Sequence, residues 1–241
     1  MKIAKLSLIS LTALLSSMMV QSQTVDEIVS KHLDAEGGKD KLAQVTSLYE
    51  ETSVSVMGND NPSTIQILNG KGFRSEIEFN GQKIIQCYTD KGGWVINPMQ
   101  GATDATAMPD EQYKGGRDQI TVGGPLFNYQ AKGYKVELLG KDKVGTSSAF
   151  KLKVTDTSKV ETTLFIDEAN YNLLQLVRKA NFNGQDIDIV ITYSDYKKTD
   201  FGVTIPYTIE TSFGDQFSLT SSVKKAEFNK GIDPKVFEMP K

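Results

Sequence analysis

FRSEIEFNGQKIIQCYTDKGGWVIN, residues 73–97, decides the fold. Phe73, Ile77 and Phe79 alternate with Arg74, Glu76 and Glu78, the period-two pattern of a strand with one buried face. Asn80-Gly81 is the dipeptide that closes two-residue hairpins, because both positions of that turn need positive φ. Residues 82–89 then read as a second strand. Asp90-Lys91-Gly92-Gly93 turns again, and Trp94-Val95-Ile96-Asn97 forms a third. Consecutive hairpins make an antiparallel meander.

The same rhythm starts near Ser47 and returns downstream. Strands are expected at residues 134–139, 149–155, 160–167 and 172–179, with Asp167-Glu168-Ala169-Asn170 as a turn. Asn183-Gly184 marks a hairpin into Ile187, Ile189, Ile191 and Tyr193, with Asp186, Asp188 and Thr192 facing away. Val203, Ile205, Tyr207, Ile209 and Phe213 continue the pattern, and Phe217, Leu219 and Val223 close it. Pro206 inside a strand predicts an edge or a bulge, since proline donates nothing to a ladder. Residues 232–237 form a terminal turn that docks two apolar side chains.

Two segments depart from this pattern. Residues 24–36 have helical spacing, with Val25, Ile28, Val29, His32 and Leu33 on one face. Thr24 and Glu27 make a capping box, and Gly37-Gly38 stops the helix before a second helical piece at 39–45. Residues 97–124 hold Pro98, Gly101, Pro109, Gly115 and Gly116 and a short helix at 109–114. An interruption of that length in a meander predicts a lid over one end of the sheet. The expected class is α+β: one domain, residues 23–241, of about ten or eleven strands.

The first 22 residues begin with Lys2 and Lys5, run apolar from Leu6 to Val20 with scattered Ser and Thr, and end at Val20-Gln21-Ser22. This is the form of a cleaved secretory signal peptide, 1–22, rather than a membrane span. No Cys lies near the cut, so the expected product is exported and not lipid-anchored. It would carry 25 basic and 30 acidic residues. A mildly acidic surface argues against nucleic acid as a partner.

Cys87 is the sole cysteine and His32 the sole histidine, so no intramolecular disulfide, cysteine-based metal cluster or multi-histidine zinc site can form. Cys87 reads as a buried, inert thiol on a strand, and His32 as a helix-face residue. The chain has no G-x-S-x-G, H-E-x-x-H, Walker loop or G-x-G-x-x-G. Asp186 and Asp188 share one strand face opposite an isoleucine stripe and read as a solvated outer surface, not an acid/base pair. No enzymatic activity, metal or cofactor is expected.

Several stretches resemble one family. Val25-Asp26-Glu27-Ile28-Val29 followed by Gly37-Gly38-Lys39-Asp40-Lys41-Leu42 resembles the opening of exported proteins related to the lipoprotein carrier LolA, in the form common in Bacteroidetes. Residues 139–144, 166–171, 193–197 with 202–206, and Phe237-Glu238-Met239-Pro240 are similar to that group's later segments, in order. The resemblance implies an incomplete antiparallel barrel, its apolar concave face covered by the N-terminal and mid-chain helices and able to hold acyl chains. It also implies a periplasmic monomer, a chaperone-like carrier in outer-membrane lipoprotein sorting. Its partners would be an acylated lipoprotein or lipid, and inner- or outer-membrane receptor proteins.

Strongly curved sheets must fill their concave face or leave a cavity there. The candidates for that inner, ligand-binding face are Phe73, Ile77, Phe79, Trp94, Ile189, Ile191, Tyr207, Ile209 and Phe217. Alternation does not distinguish a packed interior from a hollow one. If the core is filled, the alternative is a non-enzymatic regulatory or protein-interaction module on the same scaffold. Family carriers latch the lid with a strand arginine; Arg74 lies in the right region, but its phase points outward, so the role is not transferred to it.

Overall fold

A computed structural model describes residues 23–56, 58–182 and 185–240. The stretch expected to be a signal peptide and the hairpin turn expected at Asn183-Gly184 fall outside the described residues. The strands are β1 Ser47–Val56, β2 Asn59–Leu68, β3 Gly72–Phe79, β4 Gln82–Thr89, β5 Gly93–Asn97, β6 Ala102–Ala107, β7 Lys135–Val144, β8 Ser147–Thr155, β9 Glu161–Asp167, β10 Leu173–Phe182, β11 Gln185–Lys198, β12 Thr204–Phe213 and β13 Phe217–Phe228. The helices are α1 Val25–Ala35, α2 Lys39–Ala43 and α3 Asp110–Gly116.

The strands form one sheet in the order β6-β5-β4-β3-β2-β1-β13-β12-β11-β10-β9-β8-β7, antiparallel throughout and not closed. Two meanders are therefore joined at a central seam, where Leu48 of β1 faces Phe228 of β13. The middle of the chain supplies the two free edges, β6 and β7, and residues 108–134 cross between them.

That crossing segment shows that the sheet is curled. β4 and β10 are seven places apart, about 34 Å on a flat sheet at the usual strand spacing. α3 is only about 10 Å long, yet it reaches both. The Tyr113 hydroxyl donates to Thr89 O at the end of β4, at 2.9 Å. On the far wall, a side-chain carbon built on Gly115 would stand 3.8 Å from Arg178 Nη1 of β10. A 3-10 turn, Arg117–Ile120, extends the bridge: Arg117 pairs with buried Asp156 beyond β8 at 3.0 Å, and Gly70 N beyond β2 donates to Ile120 O at 2.7 Å.

One end of the inner face is plugged. Ile28, Val29 and Leu33 of α1 and Leu42 of α2 pack with Phe150, Leu152, Leu164 and Ile166 of β8 and β9, and with Val122 and Leu126 of the crossing segment. The predicted capping box is present, Thr24 and Glu27 each satisfying the other's backbone N–H. Gly37 follows with φ 122°, and a Cβ there would lie 2.8 Å from Gly202 O. Only glycine fits both the conformation and the approach.

The expectation of ten or eleven strands is corrected to 13. β6 lies inside the stretch read as lid, because its sequence, ATDATA, has small and polar residues and no apolar alternation. It exists by pairing to β5, Trp94 against Ala107. The covering segment thus starts at Met108, not at Asn97, and the helix read at 109–114 is Asp110–Gly116, with Pro109 before it as its N-cap. Pro206 meets its predicted condition: it pairs with Tyr196 of β11, while the β13 ladder begins only at Thr208.

Candidate functional site

Ladder register assigns each side chain to a face. Phe73 pairs with Tyr88, and both pack with Met108, Tyr113 and Ile120 of the crossing segment, which fixes their face as the inner one. Ile77 and Phe79 follow in phase on β3, and Ile65 and Ile67 join them on β2. On the other wall, Ile189 pairs with Phe213, Ile191 with Thr211 and Tyr193 with Ile209. Phe213 in turn pairs with Phe217 and stacks on it at 4.5 Å. Tyr207 shares the phase of Ile209, and Lys197 stands over its ring at 4.6 Å from the centroid.

Eight of the nine expected residues therefore share the inner parity; Trp94 does not. It pairs with Cys87, whose partner is Arg74, on the outer face. There a terminal 3-10 turn, Pro234–Phe237, covers Ile85, Cys87 and Trp94, and Trp94 Nε1 donates to Phe237 O at 2.9 Å. The inner-face assignment of Trp94 is corrected on that register. Cys87 is fully buried beside Phe237 O at 3.4 Å, and burial pushes its thiol up to about 12. Arg74 is on the outer face as well, paired with Glu76 at 2.5 Å.

Ile65, Ile77, Phe79, Ile191, Ile209, Phe213 and Leu219 are only partly buried, although their face is the inner one. At the plugged end, by contrast, Leu152 and Ile166 are fully covered. The helices and crossing segment thus fill one part of the curl and leave an apolar surface exposed in the rest. On β10 and β11 the outer face carries polar pairs: Asp188 with Lys179 at 3.3 Å, and Asn181 donating to Asp186 at 2.9 Å.

Polar groups that sequence reading missed also face inward. Glu50 of β1 lies in phase with Leu48 and Val54, is 8% exposed, and burial alone pushes its carboxyl up to about 7. Thr52, next in phase, has its Oγ1 buried without a partner. Arg178 pairs with Ile189 on β10, in phase with Leu176, which packs against the helix-covered core. Its Nε is buried and unpartnered. Near it are Tyr88 and Tyr193; burial raises both phenols, Tyr193 to about 12, and the guanidinium opposes the rise.

At the mouth of α1, His32 Nδ1 lies 2.9 Å from Tyr171 O, and its Nε2 lies 3.6 Å from Glu36. Burial raises the Glu36 carboxyl, partly offset by His32. Both residues serve the α1 docking contact. Among the described residues no group of three or more His, Cys, Asp or Glu is placed to hold a metal ion, and no helix is long and apolar enough to cross a membrane.

An open, curled antiparallel sheet with a bridged mouth and a partly exposed apolar inner face defines the class: an open half-barrel. Solved structures share it. An outer membrane lipoprotein-sorting protein domain from Vibrio parahaemolyticus superposes with a TM-score of 0.58 at 13% identity, covering 88% of this chain and 94% of that one. A LolA superfamily protein from Nitrosomonas europaea and a DUF1329 family protein from Desulfovibrio piger give the same score at 11% and 12% identity, each covering 90% of this chain and 98% of its own. The fold is LolA-like. No family model and no curated protein sequence matches the chain.

Proposed function

We propose that this protein is a periplasmic carrier that holds the acyl chains of a lipoprotein or lipid against the inner face of its half-barrel, in outer-membrane lipoprotein sorting. The observation that carries this reading is the partly exposed apolar strip from Ile65, Ile77 and Phe79 across to Ile191, Ile209 and Phe213, facing inward on the curled sheet. Each methylene moved from water to such a surface contributes about 0.8 kcal/mol, so a few acyl chains suffice for tight binding after ordering costs. The LolA-like fold and the export-type leader support the same reading.

Native mass spectrometry of the protein purified gently from its own periplasm is the direct test. The expected result is added mass from acyl-chain species, with the ligand then identified by fragmentation. A clean unliganded mass that also refuses added phospholipid and lipopeptide would sink the carrier reading and leave the protein-interaction module.

A further inference from the structure

Arg178 presents a permanent positive charge to the interior, since a guanidinium does not deprotonate in proteins. Its place on the inner face follows from its pairing with Ile189, which pairs with Phe213 on the next strand. Nε is buried with no hydrogen-bond partner, and among the described residues no carboxylate forms an ion pair with Arg178. Glu36 also acts on Tyr193; its Oε1 lies 3.6 Å from His32 Nε2, and its Oε2 is buried without a partner. The Tyr88 and Tyr193 hydroxyls both lie within electrostatic reach of the guanidinium, and the Gln119 amide bonds to Tyr88. α3 passes over them, with Gly115 toward Arg178 and Gly116 against the Tyr88 ring. A partly buried, unpaired charge is costly, and an anion delivered from outside would offset that cost.

We propose that Arg178, with the hydroxyls of Tyr88 and Tyr193, forms an anion site in the groove, and that the ligand is an acidic amphiphile. Its carboxylate or phosphate lies on the guanidinium and its chain along Ile189 and Phe213. This rests on the carrier reading and names the chemical class of its ligand. Arginine suits the role because its planar fork meets either anion with two parallel bonds. The glycines of α3 let the covering helix sit close over the site without placing a side chain in it.

The test compares three single-chain probes of equal length, oleate, 1-oleoyl lysophosphatidate and oleyl alcohol, titrated at pH about 8, where both acids are ionised. Wild-type protein is expected to bind at least one acid about tenfold or more tightly than the alcohol, a ratio that one charge-assisted contact supplies. Whichever acid is preferred identifies the source of the anion. Arg178→Gln should abolish that preference while alcohol affinity stays within about twofold. Arg178→Lys, which keeps the charge, should retain part of it. Tyr193→Phe provides the same readout if the Gln variant does not fold, with a few-fold loss for the acid alone. Alcohol binding with an unchanged acid-to-alcohol ratio in Arg178→Gln, or no preference in the wild type, overturns the anion site and leaves the groove standing. Failure of all three probes to bind overturns the groove itself.

Discussion

Glu50 is held inside the curl with burial as the cause of its raised pKa, about 7 against an ordinary 4.5. The folded state therefore keeps its proton to higher pH than the unfolded chain does. Stability linked to this group is greatest below about 4.5, falls as pH rises toward 7 and stays low above it. The penalty at high pH is roughly 3 kcal/mol. Glu50→Gln, which cannot ionise, should be markedly more stable than wild type in urea at pH 8 and nearly equal to it at pH 4. Equal stability at both pH values would refute this account. The position was legible: Glu50 lies in phase with Leu48 and Val54 in SLYEETSVSV. Its burial was not, because one of its two ladder neighbours, Ala226, comes from the far end of the chain.

Trp94 gives a second prediction at this scale. As the sole tryptophan, lodged on the outer face under Phe237, it should show no change in emission when a ligand fills the groove. Phe237→Ala, by contrast, should shift Trp94 emission to the red and cost about 3 to 5 kcal/mol. Quenching by groove ligands in the wild type would return Trp94 to the inner face. The register could have been read from the turns. A two-residue turn after Phe79 sets Arg74 against Cys87, and the turn at residues 89–92 sets Cys87 against Trp94.

Among elements, α1 is the best specified in the sequence, by its capping box and apolar stripe, and its docking depends on Gly37. Thr24→Ala should cost about 1 kcal/mol, the usual loss of an N-cap. Gly37→Ala should cost about 2 kcal/mol or more, because it adds strain at φ 122° and a contact on Gly202 O. Chemical denaturation distinguishes the two, and a Gly37→Ala variant as stable as the Thr24 variant would show that the close approach is relaxed. The hairpins around β3, β4 and β5 were legible because Asn-Gly and Lys-Gly-Gly carry their own turn geometry. β6 was not, since its strand character comes from β5. Arg178 was obscured by an irregularity between Leu173 and Gln175, which shifts the alternation of β10 before the arginine is reached.

At the scale of the molecule, the first and last strands in sequence, β1 and β13, hold its two halves together at the centre of the sheet. Truncation after Phe213 removes β13 and strips β1 and β12 of a partner each. The truncated chain should lose its cooperative thermal transition in circular dichroism, whereas a sharp transition near the wild-type midpoint would mean that the halves fold independently. The halves themselves were readable as meanders. Their joining was not, because Leu48 and Phe228 pair across a ladder between opposite ends of the chain and no local signal marks either as the other's neighbour.

The same seam governs the order in which the molecule can be completed. A chain emerging N-terminus first releases β1 early, but the partner of β1 on that side is the last strand to appear. Until then the meander from β1 to β6 has an open flank, and the curl that encloses the groove cannot set. On this topology the β1–β13 ladder is expected to form only after nearly all the strands have emerged.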